Sequence, residues 1–333
     1  MPRIAVIPGD GVGPEVMEAV IPLLEAVADA SNIPMELRFY EAGDGAKMRT
    51  GRALPEETLQ GVLKADATLM VAVGETAREV ILPLRQKLDL YANLRPAKSY
   101  PVPNAVPGFD LTIVRENTED LYVMSGWSSE DAAIDLRVIS RRGSERICRF
   151  GYRYARRMGK SRVCVVHKAN VLEGCRLFRR VCSEIAAEEG FEYREMYVDS
   201  AAMRIAMDRP FDVIITTNVF GDILSDLAAA FIGGLGMYPS ANIGEGRALF
   251  EPVHGTAPEL AGRNLANPMA TMLSASMMLE WLGYAEGARL IEESVRRACE
   301  LGFTTPDVGG TLGTKEVGSK VLGILRSIVG VRS

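Results

Sequence analysis

The clearest hydrophobic pattern in the chain is a continuous β-branched run at 213–217, which is typical of a strand buried on both faces. Shorter apolar runs predict extended segments at residues 3–8, 35–40 and 67–73. A helical pattern over residues 55–64 precedes the last of these strands. Strands that alternate with helices in this way favour an α/β fold with helices packed on a sheet.

Two acidic residues follow the run at 213–217. Asn218 and Gly221 end the strand pattern, and a helix is predicted on which Asp222 and Asp226 lie four residues apart. This spacing places both carboxylates on one face, where they repel each other unless a cation or solvent lies between them. A solvated acidic face is the simpler interpretation. Because the neighbours are a buried strand and the apolar stretch 227–236, a divalent cation with oxygen ligands is favoured.

Three arginines lie among apolar neighbours. Arg85 and Arg95 belong to the segment 81–95, and Arg115 ends a predicted strand. Most arginines are solvated surface residues. Three of them at the ends of apolar elements instead suggest a cluster for a small polyanion, because a guanidinium group binds a carboxylate through two parallel hydrogen bonds.

Two further candidates lie near the ends of predicted strands. Lys168 follows the strand at 162–166, at the carboxyl end where α/β sheets place ligands. It is either a surface residue or an amine whose pKa is lowered by burial and a nearby cation. Asp199 closes another predicted strand, at 197–200, and is a third candidate oxygen ligand.

Two glycine-containing segments are candidate anion sites. The turn at 9–13 connects the first strand to a helix, but it lacks the GxGxxG spacing, and no Walker lysine follows. The stretch 243–259 places small residues and backbone N–H groups before a helix, where a pyrophosphate can bind. Asn267 has the character of an N-cap for a buried helix that ends near Gly283.

Composition narrows the class of protein. The chain has 333 residues, of which 47% are hydrophobic and 24% charged, and this suits a globular protein of two domains. A net charge of -5 argues against a nucleic-acid surface. No apolar run is long enough for a membrane span, and no signal peptide is recognised, so we expect a cytoplasmic protein. Five cysteines without a CxxC pair predict free buried thiols.

Six sequence blocks, in order along the chain, closely resemble those of the β-decarboxylating dehydrogenases, which act on isocitrate, isopropylmalate, homoisocitrate and D-malate. The blocks are GDGVGPE at 9–15, DLYANLRP at 89–96, RENTEDLY at 115–122, HKANV at 167–171, NVFGDILSD at 218–226 and EPVHGTAP at 251–258. The resemblance extends to residue 310 and therefore covers almost the whole chain.

The resemblance implies a two-domain α/β fold of the isocitrate/isopropylmalate dehydrogenase type, which is not a Rossmann fold. Residues 1–90 and 233–333 would form the larger, cofactor-binding domain, and residues 91–232 the smaller domain with the metal site, the catalytic residues and the dimer interface. The resemblance further implies a homodimer, or a higher oligomer, in which each active site takes the lysine and one metal-binding aspartate from the partner subunit.

The resemblance also implies a role for each candidate residue. The general acid and base would be Tyr122 and Lys168, and Mg²⁺ or Mn²⁺ would bind to Asp199, Asp222 and Asp226. The substrate would contact Arg85, Arg95, Arg115, Ile81 and Leu82. The cofactor would contact His254, Gly255, Thr256, Ala257, Glu259 and Asn267. NAD is expected rather than NADP, because Glu259 and Leu260 stand where NADP enzymes of the family carry a basic residue and tyrosine. A carboxylate repels the 2′-phosphate of NADP, although Glu259 at a helix N-terminus is the alternative interpretation.

The expected substrate is 3-isopropylmalate, which would be converted to 2-oxoisocaproate in leucine biosynthesis. Glu79 and Ile81 stand where isocitrate enzymes carry a serine and an asparagine that bind the γ-carboxylate, so Glu79 is expected to repel that group and Ile81 to offer it only apolar contact. Arg78 is close enough to bind a distal carboxylate, so homoisocitrate, or a broad range of isocitrate- and D-malate-type acids, is the alternative. A regulatory subunit without activity is a further alternative. Such paralogues lack some of the catalytic and metal residues, whereas this chain has all of them. A phosphotransferase is disfavoured because the Walker lysine is absent.

Overall fold

The structure is a computed structural model that describes residues 1–330, in which one ten-stranded sheet organises the chain. The strands are β1 (Arg3–Gly9), β2 (Glu36–Phe39), β3 (Ala67–Ala72), β4 (Ala92–Lys98), β5 (Asp110–Glu116), β6 (Gly126–Ser128), β7 (Ala133–Asp135), β8 (Val163–His167), β9 (Glu195–Tyr197), β10 (Val213–Thr216), β11 (Pro239–Ile243) and β12 (Ala248–Pro252). Strands β6 and β7 form a separate two-stranded sheet. Except for the strand predicted at 197–200, the predicted strands are present, with ends that differ by one or two residues.

Helices connect most of these strands. They are α1 (Gly13–Ala30), α2 (Asp44–Thr50), α3 (Glu56–Lys64), α4 (Ala77–Lys87), α5 (Arg141–Arg157), α6 (Glu173–Glu188), α7 (Val198–Met207), α8 (Asn218–Ala229), α9 (Met269–Trp281), α10 (Ala285–Glu300) and α11 (Thr314–Ile328). Pro14 occupies the first turn of α1, where its fixed φ angle suits the helix. Helix α9 is buried on almost every side, as predicted for a core helix. None of these eleven helices combines the length and the apolar character that a membrane span requires.

The strand order is β2-β1-β3-β12-β11-β4-β5-β10-β8-β9. The four central strands β12, β11, β4 and β5 pair antiparallel, and the outer pairs are parallel. The order separates the strands of 1–90 and 233–333 from those of 91–232. This grouping agrees with the expected two domains, a division that we keep as a proposal. The last three residues of the larger predicted domain lie outside the described part of the chain.

Two local predictions are wrong. Asp199 does not end a strand, because β9 stops at Tyr197 and Asp199 lies in the first turn of α7, where a carboxylate is favoured by the helix dipole. The cysteines are not all free, since Cys148 on α5 and Cys182 on α6 form a disulfide, with Cα atoms 5.5 Å apart. The other three cysteines are free and buried, as predicted.

Candidate active site

A cavity of about 600 Å³ contains most of the predicted substrate residues. Its lining includes Ile81, Leu82, Arg85, Arg95, Arg115, Tyr122, Asp222, His254 and Gly255. These residues come from both groups of strands and from the helices that follow them. A second cavity of about 470 Å³, between α5 and α9, contains none of the predicted site residues.

Three of the four arginines that line the cavity, Arg85, Arg95 and Arg115, are almost completely buried. Arg115 Nη1 donates to Asp222 Oδ1 at 2.5 Å, and Arg95 Nη1 donates to the same oxygen at 3.2 Å. Arg85 Nη2 contacts Glu251 Oε1 at 3.4 Å, whereas its Nε has no hydrogen-bond partner among residues 1–330. Burial lowers the pKa of Arg115 to about 9, and the charge of Arg95 acts in the same direction. Three cations face two carboxylates here, so the cavity suits an anionic ligand.

Tyr122 lies in a 3-10 turn (Leu121–Val123) beside this cluster. Its hydroxyl donates to Asp222 Oδ2 at 2.9 Å. Partial burial, together with the charge of Asp222, raises the pKa of Tyr122, so the phenol is protonated at neutral pH. Burial alone would raise the pKa of Asp222, but the charges of Arg115 and Arg95 more than offset this effect and hold it below its usual value. The arrangement therefore pairs a proton donor with an ionised carboxylate.

A chain of hydrogen-bonded polar side chains that supports the buried arginines was not predicted from the sequence. Arg95 Nε donates to Asn93 Oδ1 at 2.6 Å, and Asn93 Nδ2 donates to Asn242 Oδ1 at 3.1 Å. Asn242 Nδ2 in turn donates to Glu251 Oε1 at 2.8 Å, which is also the partner of Arg85. The signal in the sequence was polar residues inside apolar strands, but only the register that pairs Asn93 with Asn242 shows that they meet.

The structure separates the three predicted metal ligands. Asp222 and Asp226 lie one turn apart on α8, and Asp226 has no hydrogen-bond or ion-pair partner in the part of the chain described. Partial burial raises the pKa of Asp226. No group of three acidic, histidine or cysteine side chains among residues 1–330 could hold a metal ion. One chain therefore places two of the three predicted carboxylate ligands, Asp222 and Asp226, side by side, and Asp199 does not join them.

Lys168 and Asp199 form an ion pair with each other, outside the cavity. Lys168 Nζ lies 2.5 Å from Asp199 Oδ1, and neither residue lines the cavity. Their surroundings include exposed apolar side chains, among them Val171 and Met203, which are 63% and 54% exposed. Exposed apolar side chains that lie together on a surface are typical of a protein–protein contact.

The predicted cofactor loop lies against the turn at 9–13. Val12 N donates to Thr256 O at 2.9 Å, and a Cβ added at Gly11 would lie only 2.1 Å from the same oxygen, so Gly11 permits the close approach. His254 lines the cavity, and its buried Nε2 has no partner among residues 1–330. Burial lowers the pKa of His254, which is therefore neutral at pH 7. The unpaired nitrogen fits a ligand with polar atoms, such as a dinucleotide.

The other predicted cofactor residues differ in their surroundings. Ala257 lies in the same loop, in the left-handed region with φ 38°. Glu259 is exposed in a turn, and because no helix begins there, the interpretation that it complements a helix N-terminus is wrong. Asn267 is buried, accepts a hydrogen bond from Met269 N at 3.0 Å and donates to Asp307 at 3.1 Å. The N-cap of α9 is Pro268, so the prediction that Asn267 occupies that position is wrong by one residue, although the Asn267 side chain still binds the first N–H of the helix. Its role toward a cofactor stays a prediction.

The apolar wall of the cavity is formed by α4. Ile81 and Leu82 line the cavity together with Arg78, which has no hydrogen-bond or ion-pair partner within the described residues. Glu79 points the other way and pairs with Lys47 at 2.6 Å. The expectation that Glu79 repels a substrate carboxylate is therefore wrong. Positions 78, 81, 82 and 85 share one helix face, whereas position 79 does not.

The chain matches the model of the isocitrate/isopropylmalate dehydrogenase family over residues 3–321. It belongs to that family. The chain is 48% identical over 329 residues to the 3-isopropylmalate dehydrogenase of Archaeoglobus fulgidus, covering 98% of this chain and 100% of that protein. It is 46% identical over 336 residues to the isocitrate/homoisocitrate dehydrogenase of Thermus thermophilus, covering 98% of this chain and 99% of that protein.

The fold comparison agrees with this family assignment. The crystal structure of isocitrate dehydrogenase from Methylococcus capsulatus superimposes with a TM-score of 0.93 at 40% identity, covering 98% of this chain and 100% of that chain. The predicted fold is therefore confirmed, and the family member described here is a β-decarboxylating dehydrogenase. The relatives are named for different acids, so family membership alone leaves the substrate open.

Proposed function

We propose that this dehydrogenase converts 3-isopropylmalate to 2-oxoisocaproate with NAD and a divalent metal ion, as a step of leucine biosynthesis. The observation that carries the proposal is the composition of one cavity, which combines three buried arginines with the apolar side chains of Ile81 and Leu82. The arginines suit the two carboxylates of a malate core. The side chains of Ile81 and Leu82 suit an isopropyl group and offer no hydrogen bond to an additional carboxylate.

In this proposal Arg85, Arg95 and Arg115 hold the substrate by its carboxylates. The Nε of Arg85 has no partner among residues 1–330, while Arg95 and Arg115 are fixed by Asp222, by Asn93 in the same strand as Arg95, and by Asn218 at the start of α8. A guanidinium group that is already fixed loses little side-chain entropy when it binds. Such a cluster orients the hydroxyl-bearing carbon before reaction.

The acid–base work is assigned to two residues. Lys168 accepts the proton of the substrate hydroxyl, and a bound NAD would supply the acceptor for the hydride that the adjacent carbon loses. Loss of CO₂ then leaves an enolate, and the protonated phenol of Tyr122 donates a proton to its carbon. The raised pKa of Tyr122 supports this role, because the donor must carry its proton at neutral pH.

Asp222 and Asp226 of one subunit, with Asp199 of a second, would hold Mg²⁺ or Mn²⁺. When bound, the ion would supply Lewis-acid polarisation of the forming carbonyl and stabilise negative charge on the enolate oxygen. The carboxylate oxygens suit a hard cation. Asp226, which has no partner in the described chain, is the ligand most available to it.

We further propose a homodimer, or a higher oligomer built from it, with active sites shared between subunits. The supporting observation is that Lys168 and Asp199 lie together outside the cavity that contains Tyr122 and Asp222. A symmetric dimer would bring the pair from one chain to the cavity of the other, and reciprocally. A monomer would then hold neither a complete metal site nor the base.

The cofactor assignment gives a first prediction. We expect kcat/KM to be higher with NAD than with NADP by about tenfold or more, since roughly 1.4 kcal/mol of charge repulsion changes an equilibrium tenfold. The exposed carboxylate of Glu259 is the proposed source of that repulsion. Steady-state kinetics with both cofactors measures the ratio, and Glu259→Lys should reduce it. The same charge reversal at Glu57, which does not line the cavity, is the control; a wild-type preference for NADP would refute the assignment.

The substrate assignment gives a second prediction. We expect kcat/KM for 3-isopropylmalate to exceed that for homoisocitrate, isocitrate and D-malate, by about 10- to 200-fold for a hydrophobic pocket of this kind. All four acids should be compared with NAD and Mg²⁺ under one condition. Reduced cofactor and released CO₂ are both measured, because oxidative decarboxylation produces them in equal amounts.

Homoisocitrate is the second candidate, because Arg78 lines the cavity without a partner and is free to bind a distal carboxylate. Under the leading proposal Arg78→Ala leaves the order of the four acids unchanged. Lys87→Ala is the matched control, since Lys87 is exposed on the same helix but does not line the cavity. If homoisocitrate is the best substrate and Arg78→Ala reverses the order, the isopropylmalate assignment fails.

A further inference from the structure

Asp120 has an unusual backbone conformation directly before the turn that carries Tyr122. Its φ is 69° and its ψ is -143°, a region that is essentially restricted to glycine. Seven non-glycine residues of the described chain have positive φ, and of these only Asp120 is buried. An L residue persists in such a conformation only when contacts with its surroundings hold it there.

Four donors converge on the Asp120 carboxylate. Arg137 Nε lies 2.6 Å from Oδ1, and Arg137 Nη2 donates to Oδ2 at 3.3 Å. Leu121 N donates to Oδ1 at 3.0 Å, and Val219 N donates to Oδ2 at 3.2 Å. Asp120 itself is completely buried. A buried carboxylate with four donors is strongly fixed, because loss of any donor would leave buried charge uncompensated.

Arg137 is fixed as firmly as its partner. Its Nη2 donates to Thr217 Oγ1 at 3.1 Å, and its guanidinium lies 5.2 Å from the centroid of the Phe220 ring. Both of these contacts are with the start of α8, and Val219, which donates to Asp120, belongs to the same turn. The ion pair therefore ties the Tyr122 turn to the N-terminus of α8.

Helix α8 also carries Asp222, which accepts the hydrogen bond from the Tyr122 hydroxyl. The two elements that meet in that hydrogen bond are thus joined a second time, through Asp120 and Arg137. An error of 1 Å in the position of a catalytic group can reduce turnover about 10²-fold. A rigid second connection between the two elements prevents such an error.

We propose that Asp120 and Arg137 form a positioning clamp that sets the hydroxyl of Tyr122 for proton transfer, without contacting the substrate. The proposal rests on the role given above to Tyr122. Neither residue is a substrate ligand in this account, so the clamp acts on the rate of proton transfer and not on the affinity for the acid.

The test compares Asp120→Asn, Asp120→Gly and Arg137→Lys in the full-length enzyme. Asp120→Gly suits the backbone conformation but lacks the carboxylate. Each variant is expected to lower kcat by about 10- to 100-fold, the usual effect of outer-shell partners, with KM for the acid changed less than about threefold. The solvent deuterium isotope effect on kcat should rise, because proton transfer becomes slower relative to other steps. Wild-type kcat in Asp120→Gly would overturn the proposal.

Two comparisons separate positioning from stability. Glu189→Gln removes a carboxylate that ties Arg149, Arg153 and Arg156 of α5 to the end of α6, far from the cavity, and should lower thermal stability without changing the isotope effect. Asp120→Asn combined with Tyr122→Phe should have about the kcat of Tyr122→Phe alone, whereas additive losses would overturn the clamp. If none of the three clamp variants folds, the pair is structural only and the proposal also fails. Wild-type kcat in Tyr122→Phe would instead reject the proposed acid itself.

Discussion

Replacing Lys168 by methionine, or Tyr122 by phenylalanine, is expected to lower kcat by about 10²-fold or more, in the range of a lost general acid or base. Methionine keeps the length of the side chain but cannot accept the hydroxyl proton, and phenylalanine cannot protonate the enolate. The folded state should persist, because Lys168 lies at the surface and Tyr122 loses only its hydrogen bond to Asp222. Turnover measured with saturating acid, NAD and Mg²⁺ gives the ratio.

Matched substitutions elsewhere control for these two changes. Lys160→Met removes a lysine that pairs with Asp110 at 2.6 Å, and Tyr154→Phe removes a hydroxyl that contacts Thr112 at 3.3 Å. Both residues border the second cavity and not the cavity of the candidate active site. Their variants should retain normal turnover. Near-normal turnover in Lys168→Met or Tyr122→Phe would reject the corresponding role.

Removal of divalent metal is expected to abolish activity. Excess chelator should reduce turnover to background, and Mg²⁺ or Mn²⁺ should restore it, because protein dipoles alone do not replace a Lewis acid at the enolate oxygen. Asp226→Asn should raise the metal concentration that gives half-maximal activity, since it removes one anionic ligand. Full turnover in excess chelator would contradict the metal assignment.

Much of the cavity was predictable because its residues belong to contiguous motifs. Arg95 and Arg115 lie in adjacent strands, and Asp222 follows a buried strand. Each is a charged residue within or directly after an apolar run, and this pattern is visible in the sequence. The face of α4 was only partly predictable. Ile81 and Leu82 do line the cavity, but Glu79 does not, because its helical position directs it toward Lys47.

Other features depend on distant parts of the chain and could not be read from local pattern. Asn93 meets Asn242 only because of the register between β4 and β11, and the disulfide between α5 and α6 depends on how these helices pack. Lys168 and Asp199 were expected to serve the active site of a partner subunit, an expectation that came from the family resemblance and not from local pattern, and within one chain they lie outside the cavity that contains Asp222. We propose that a second subunit brings them to the cavity, and this shared site is the central claim of this account.

A defined heterodimer tests that claim most directly. Co-expression of Lys168→Met and Tyr122→Phe chains with different affinity tags allows isolation of dimers that contain one chain of each kind. If sites are shared, one site combines Tyr122 of the first chain with Lys168 of the second, and the heterodimer should recover about half of the wild-type turnover. If each chain instead holds a complete site, every site in the heterodimer lacks either Lys168 or the Tyr122 hydroxyl. Turnover would then be as low as in the two homodimeric variants, and that result would contradict the account.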